Sequence, residues 1–394
     1  MAPALPNRRT ITINRDFAIP QYEYLLNQLP ISRTKPIVTR LPSQYGSTIY
    51  GDIWATIVVG TLCRRGYSEL KIVAAGHQHY DPDGDFTQSL PGLTAVQMSD
   101  RVRTDSDESI DIDRAASDIS LSRGGILEQP EDSPADTASL LEQLSGKTRT
   151  LIELDPQFPI ANAIRGSSGL ARRTFFESLI TDFRRVLELG YSHHGRPVWS
   201  IGTEPANLIK FFSELHENAY HYSRAIEQNG RTVRGLRFIR LKAHLATNTA
   251  ELLRRAPADS PILYFLERIA QGKGPQGVME AAISDFGYGI VDHFLMSQRG
   301  AQYRDYNRRQ LLQKLIHERL TSSPDPGAGL GIWKALDAAR AMRGLVSVRT
   351  GEFWLAQDFS NQNLYDRKPV LEDVPGDRAK IAGTHWQFLW PMGI

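Results

Sequence analysis

One stretch of the chain carries too little apolar surface to fold on the same terms as its flanks. Residues 81 to 149 hold 15 Asp or Glu against 6 Lys or Arg, a net of −9, with no Trp or Tyr and one Phe. So few large side chains do not offset the entropy of ordering a chain. The stretch is therefore expected to be an acidic, disordered linker, apart from a short helix near Ser139 to Leu144. The whole chain has a formal net charge of +2, so everything outside the stretch carries +11. With 394 residues in total there is room for a folded module on either side.

Composition excludes several classes. Hydrophobic residues at 41% and charged residues at 23% are ordinary for a globular protein and exclude disorder of the full length. The near balance of 46 Lys+Arg with 44 Asp+Glu excludes a surface that is all nucleic-acid footprint, though not a local basic patch. Cys63 is the single cysteine, which rules out an internal disulfide and a multi-thiolate zinc site and points to a reducing cytoplasm. The first ten residues lack a signal-peptide apolar core. The longest apolar run, Ile53 to Leu62, falls far short of the ~20 residues of a membrane span and reads as the buried face of a helix.

Residues 1 to 80 alternate in character. Strands are expected at 10–14, 35–39 and 70–75, and helices at 19–29 and 46–66, which makes a small α/β module. After the acidic stretch, helices are expected at 173–189, 204–223, 249–271, 302–320 and 330–343. Strands are expected at 233–246, 277–284, 345–350, 353–358 and 384–390, so 150–394 reads as a mixed α+β domain.

Four pieces of this domain can carry chemistry. In Phe211-Phe-Ser-Glu-Leu-His-Glu-Asn-Ala-Tyr-His-Tyr-Ser223, Phe211, Leu215, Ala219 and Tyr222 recur at helical spacing and mark a core face. Glu214 and Asn218 share a different face. An amide oxygen suits Mg²⁺, and a carboxylate can deprotonate water; a solvated polar face is the competing reading. In Ala281-Ala-Ile-Ser-Asp-Phe-Gly-Tyr-Gly-Ile290, an apolar strand runs into Asp285, Gly287 and Gly289. A carboxylate there can accept a hydrogen bond from an exocyclic amine, with glycine admitting a flat ring; an ordinary turn is the alternative. In Pro326-Gly-Ala-Gly-Leu-Gly-Ile-Trp-Lys334, a triple-glycine loop feeds a helix, which makes either a phosphate cradle or a hinge. It is neither a Walker loop nor the dinucleotide fingerprint. Last, Gly383-Thr384 opens a terminal strand, where a hydroxyl can reach a base through water.

Taken in order, Glu214/Asn218, Asp285-x-Gly287-x-Gly289, Gly327-x-Gly329-Leu330-Gly331 and Gly383-Thr384 resemble the boxes of the GHKL (Bergerat-fold) ATP-binding domain. That family includes the ATPase domains of gyrase, MutL proteins and heat-shock chaperones, together with sensor histidine kinases and anti-sigma kinases. The resemblance covers about 200 to 392. It implies an α/β sandwich with a mixed sheet, and ATP held between a helix and a mobile lid at 291–326. It also implies that Asp285 recognises adenine, that Asn218 holds Mg²⁺, and that Gly329 and Gly331 contact phosphates. Arg299, Arg304, Arg308, Arg309 and Lys314 in the lid segment either neutralise phosphate or form a solvated basic face.

The branch of the family is less sharply marked. Glu214-Leu-His-Glu-Asn218 is similar to the hydrolysing box, with Glu214 as the general base. Asn218-Ala-Tyr-His221 is similar to kinase boxes, with His221 near phosphate or simply on a helix surface. The helix 173–189 contains no histidine, and His193 and His194 lie in a glycine-flanked loop, which argues against an autokinase. The lysine-donating domain of the gyrase and MutL branches does not follow in this chain, so hydrolysis is expected to be slow or completed by a protein partner or second protomer. Asn218 and Asp285 are 67 residues apart, which suggests an insertion at about 247–275.

The expectation is thus Mg²⁺-dependent ATP hydrolysis coupled to lid closure and a conformational signal. A kinase acting on a separate protein and a nucleotide-gated binding module are the alternatives. The N-terminal module is loosely similar to STAS-like modules, with no residue that carries the likeness. A membrane partner is not expected, and no motif supports nucleic acid.

Overall fold

The computed structural model describes residues within 9–110, 148–154, 176–181 and 205–392, with short gaps inside these stretches. The chain divides into two compact units. The first comprises residues 1–129 with two short returns of the chain, 225–236 and 378–382; the second comprises 130–224, 237–377 and 383–394.

In the first unit the expected alternation is present. Strands β1 (Arg9–Thr12), β2 (Ile37–Leu41) and β3 (Leu70–Ala74) are separated by helices α1 (Ile19–Gln28) and α2 (Gly51–Arg65). They continue through α3 (Leu90–Met98) into β4 (Val102–Thr104) and β5 (Ser109–Ile110). The sheet order is β1-β2-β3-β4-β5, parallel as far as β4 and antiparallel at β5. Parallel neighbours in chain order need crossover helices, and right-handed crossovers stack those helices on one face. Accordingly α2 packs against both α1 and α3.

Two expectations fail here. The acidic linker was placed from 81, yet residues 89–110 fold into α3, β4 and β5. The averaged composition hid Leu90-Pro-Gly-Leu-Thr-Ala-Val-Gln-Met98, every residue of which is buried. Its start is set locally: Ser89 Oγ accepts the Gly92 N–H at 3.1 Å, and Pro91 occupies the first turn. The expected helix near Ser139 and the rest of the acidic stretch lie outside the described residues. The second correction concerns Ile53 to Leu62. The run is not one buried face, because α2 is buried from Gly51 to Arg64 on every side. Within the unit, the returning segment 378–382 helps to enclose this region. Glu23 Oε2 accepts the Ala379 N–H at 2.7 Å, and Thr61 Oγ1 accepts that of Ala382 at 3.2 Å. Arg65 donates to the Lys380 carbonyl at 2.6 Å. The other return forms a small hairpin, β7 (Ile226–Gln228) and β8 (Arg231–Val233).

The second unit is built on a seven-stranded sheet of order β13-β12-β11-β14-β10-β9-β6. Its strands are β6 (Thr148–Leu154), β9 (Leu236–Leu245), β10 (Gly277–Asp285), β11 (Leu345–Thr350), β12 (Phe353–Asp358), β13 (Glu372–Asp373) and β14 (Thr384–Met392). A mixed sheet was expected, but each pairing described among β9 to β14 is antiparallel. One face carries α4 (Pro205–Tyr222) and α9 (Gly331–Ala341), which pack against each other. Phe211, Leu215 and Ala219 of α4 enter the same core cluster as Leu241, Ala281, Val348 and Phe388 of the sheet. Phe388 sits 4.8 Å from Phe211 and 4.7 Å from Trp390, ring centre to ring centre.

The anticipated helix at 249–271 is two helices, α5 (Thr249–Arg254) and α6 (Pro261–Ala270). Ser260 caps α6 by accepting the Leu263 N–H at 3.2 Å. Helix α6 packs across β11 and β12, and its Arg268 pairs with Asp358 at 2.8 Å. Between β10 and α9 lie α7 (Ile290–Met296), a 3₁₀ turn at Ala301–Tyr303 and α8 (Arg308–His317). Of the helix expected at 173–189, four residues are described; all four are helical, and Phe176 and Ile180 are buried. No helix among the described residues is long and apolar enough to cross a membrane.

Candidate functional site

The site begins with strand register. β10 ends at Asp285, and the antiparallel pairing sets Asp285 opposite Thr384 at the start of β14. That approach requires glycine next door: Gly383 has φ +78, and a Cβ there would lie 1.8 Å from the Asp285 carbonyl oxygen. On the other side Thr350, the last residue of β11, also pairs with Thr384. The Thr350 and Thr384 hydroxyls are 3.2 Å apart, and Thr350 Oγ1 accepts the Ile290 N–H at 3.0 Å. Thus β11, paired with β14 through Thr350 and Thr384, pins the start of α7 next to Asp285. Asp285 itself is nearly buried, and its Oδ1 accepts the Gly287 N–H at 2.8 Å.

Helix α4 supplies the facing wall. Its apolar stripe goes to the core, which turns Glu214 and Asn218 together to a half-buried side. Gly331, the first residue of α9, faces them: a Cβ there would stand 3.2 Å from Glu214 Oε2 and 3.5 Å from Asn218 Nδ2. The missing side chain leaves space bordered by a carboxylate, an amide and the start of a helix. Leu330 precedes α9 and gives it no side-chain cap.

These walls enclose a cleft. Among the described residues its lining includes Asn218, Asp285, Gly289, Gly329, Gly331 and Thr384, six of the residues singled out by sequence. Gly287 acts at one remove, through its hydrogen bond to Asp285. Glu214 stands at the rim beside Gly331, and Leu330 is not part of the lining. Gly327 and the His221 side chain lie outside the described residues. Sequence reasoning missed His293, Ile283, Trp386 and Leu315, which also line the cleft, and Thr350 behind it. Burial pushes the His293 imidazole below its ordinary value, so it is neutral near pH 7 and offers the cleft a dipole rather than a charge.

Four of the five basic residues named in 291–326 are engaged with protein partners. Arg308 bonds Asp292 at 2.7 Å and Glu352 at 2.6 Å, Arg309 faces Asp373 at 3.5 Å, and Lys314 pairs with Glu318 at 2.9 Å. Arg299 donates to the Thr321 carbonyl at 3.4 Å. Leu311, Leu312 and Ile316 of α8 are in the core. The described part of this segment is therefore a packed cover whose Arg308, Arg309 and Lys314 charges are paired with carboxylates, and its edge, Leu320 to Ser322, reaches the cleft. A cation that does meet the site comes from elsewhere: Lys334 Nζ donates to Glu214 Oε1 at 2.8 Å.

Among the described residues no group of three or more His, Cys, Asp or Glu side chains converges to hold a metal. An ion here would have Asn218 as its protein ligand and take the rest from a substrate and water, a donor set that suits Mg²⁺. No protein-family model matches the chain, and no curated protein matches it.

Proposed function

We propose that the cleft binds ATP and that the second unit is a GHKL-type, Bergerat-fold ATPase domain. The supporting observation is the convergence of four sequence-distant pieces, holding Asn218, Asp285, Gly329 with Gly331, and Thr384, on one lined cleft. A carboxylate at the apolar end, with a helix start and an amide at the other end, matches the polarity of a purine nucleoside triphosphate along its length.

In this reading Asp285 accepts a hydrogen bond from the adenine amine, and Thr384 steadies the same edge through its hydroxyl. Ile283 and Trp386 supply apolar contact for the ring. The N–H groups at the start of α9 receive the phosphates. Asn218 would hold a Mg²⁺ ion, which would supply charge neutralisation at the phosphate oxygens. Glu214 takes a proton from water as the water oxygen bonds to the terminal phosphorus. The bond from that phosphorus to its bridging oxygen breaks, and ADP and inorganic phosphate leave. Closure of the 291–326 lid on ATP, before the products leave, is the conformational signal to a partner or second protomer.

Phosphate release from ATP tests the reaction. Steady release that disappears in Glu214→Ala while ATP binding persists supports hydrolysis. Label passed to a separate protein supports the kinase alternative, and binding without turnover supports the gated module.

A further inference from the structure

The ion pair at the rim of the cleft joins two residues of very different standing. Glu214 is the carboxylate assigned to water, and Lys334 lies three positions beyond Gly331, on the same side of the first turns of α9. Lys334 Nζ is 2.8 Å from Glu214 Oε1, while the second carboxylate oxygen faces the space left open at Gly331. The Lys334 side chain is half exposed, at 50%, and that of Glu214 is 20% exposed. A pair this wet is held weakly and can exchange partners.

We infer that Lys334 is a charge-exchange switch: it holds Glu214 when no triphosphate is bound and moves to the terminal phosphate when ATP occupies the cleft. This rests on the nucleotide reading above and adds the regulation of that site. A terminal phosphate at the start of α9 brings more negative charge than one carboxylate, and it arrives at the glycine that separates the cleft from the Lys334–Glu214 pair. Lys334 is a flexible cation on a four-carbon stem, so it can follow the stronger anion without moving the helix. Once it does, Glu214 Oε1 is released to accept a proton from water. ADP lacks the terminal phosphate and leaves the pair intact. The base is thereby freed only when there is something to hydrolyse.

Calorimetric titration of the full chain with Mg·ATP and with Mg·ADP tests this. Lys334→Gln is expected to weaken ATP binding by roughly tenfold and ADP binding by less than about twofold. Lys334→Arg should keep the preference for ATP. Glu214→Gln, which removes the competing carboxylate charge, should bind ATP several-fold more tightly than wild type, with ADP unchanged. Equal changes for both nucleotides in Lys334→Gln, or no change in either, would overturn the switch while leaving the ATP site standing. Wild-type protein that binds neither nucleotide would remove both ideas. Should Lys334→Gln fold poorly, the Glu214→Gln result decides alone: an unchanged ATP-to-ADP ratio rejects the exchange.

Discussion

The two faces of the seven-stranded sheet are made from the same strands and solve burial in opposite ways. Toward α4 and α9, alternate residues such as Leu241, Ala281, Val346 and Phe388 form a continuous apolar core. The residues between them point the other way and include Arg240, His244, Glu280, Ser347, Arg349 and Gln387, all buried as well. They are held by polar contacts: His244 Nε2 meets Glu280 Oε2 at 2.7 Å, Ser347 donates to Gln387 at 3.0 Å, and Arg349 donates to the carbonyls of Gly351 and Phe353 at 2.7 and 3.0 Å. Burial disfavours charge on Glu280, yet His244, Lys242 and Arg240 outweigh it and hold the carboxyl to about 2. Burial, with Arg240 alongside, brings Lys242 down to about 8. The lesson is a division of labour. Non-directional packing secures the face that must also open into a cleft at the Asp285 end, and directional pairs fix the register of the face that does not.

Breaking the apolar face should cost most. Phe388→Ala removes a fully buried ring between Phe211 and Trp390 and is expected to lose about 3–5 kcal/mol in urea unfolding. A loss below about 1 kcal/mol would mean that this face is not the main support. On the polar face, Glu280→Gln is expected to cost about 3 kcal/mol, since it leaves buried cations short of their counter-charge. The pH dependence sharpens this. Because the folded-state value is depressed, to about 2 from an ordinary 4.5, Glu280 contributes stability that is complete above 4.5 and is lost as pH falls toward 2. The Gln variant should lack that part of the acid slope; identical slopes would show that Glu280 is not held ionised. The smallest effect belongs to the cleft end. Thr384→Val keeps the shape but removes the hydroxyl that meets Thr350, and should weaken ATP binding about fivefold with stability changed by roughly 1 kcal/mol.

Much of this arrangement is legible along the chain wherever the signal is local. Period-two alternation marks β9 and β14, an apolar run marks β10, and the 3.6-residue stripe of Phe211, Leu215 and Ala219 marks α4 and the side on which Glu214 and Asn218 fall. Asp285, Gly329 and Gly331 stand out because strand-to-turn and loop-to-helix junctions have recognisable residues. Contacts made by pairing are not legible in that way. Thr350 enters the site only because β11 lies beside β14, and Trp386 only because it is two residues beyond Thr384 on the same face. Lys334 reads as a surface helix residue until α4 and α9 are packed together. The short edge strand β13 has two residues and no period to detect. The acidic average over 81–149 concealed α3, whose nine residues need only local apolar density to bury themselves.

Asp285, at the end of β10, is the proposed anchor for adenine. Titration of Mg·ATP into wild type and Asp285→Asn, with matched urea unfolding, tests it most directly. Saturable binding by the wild type that falls ten- to a hundred-fold or more in a variant of about equal stability is the predicted result. Equal affinity in the two proteins, or no uptake of ATP by a folded wild type, would contradict it.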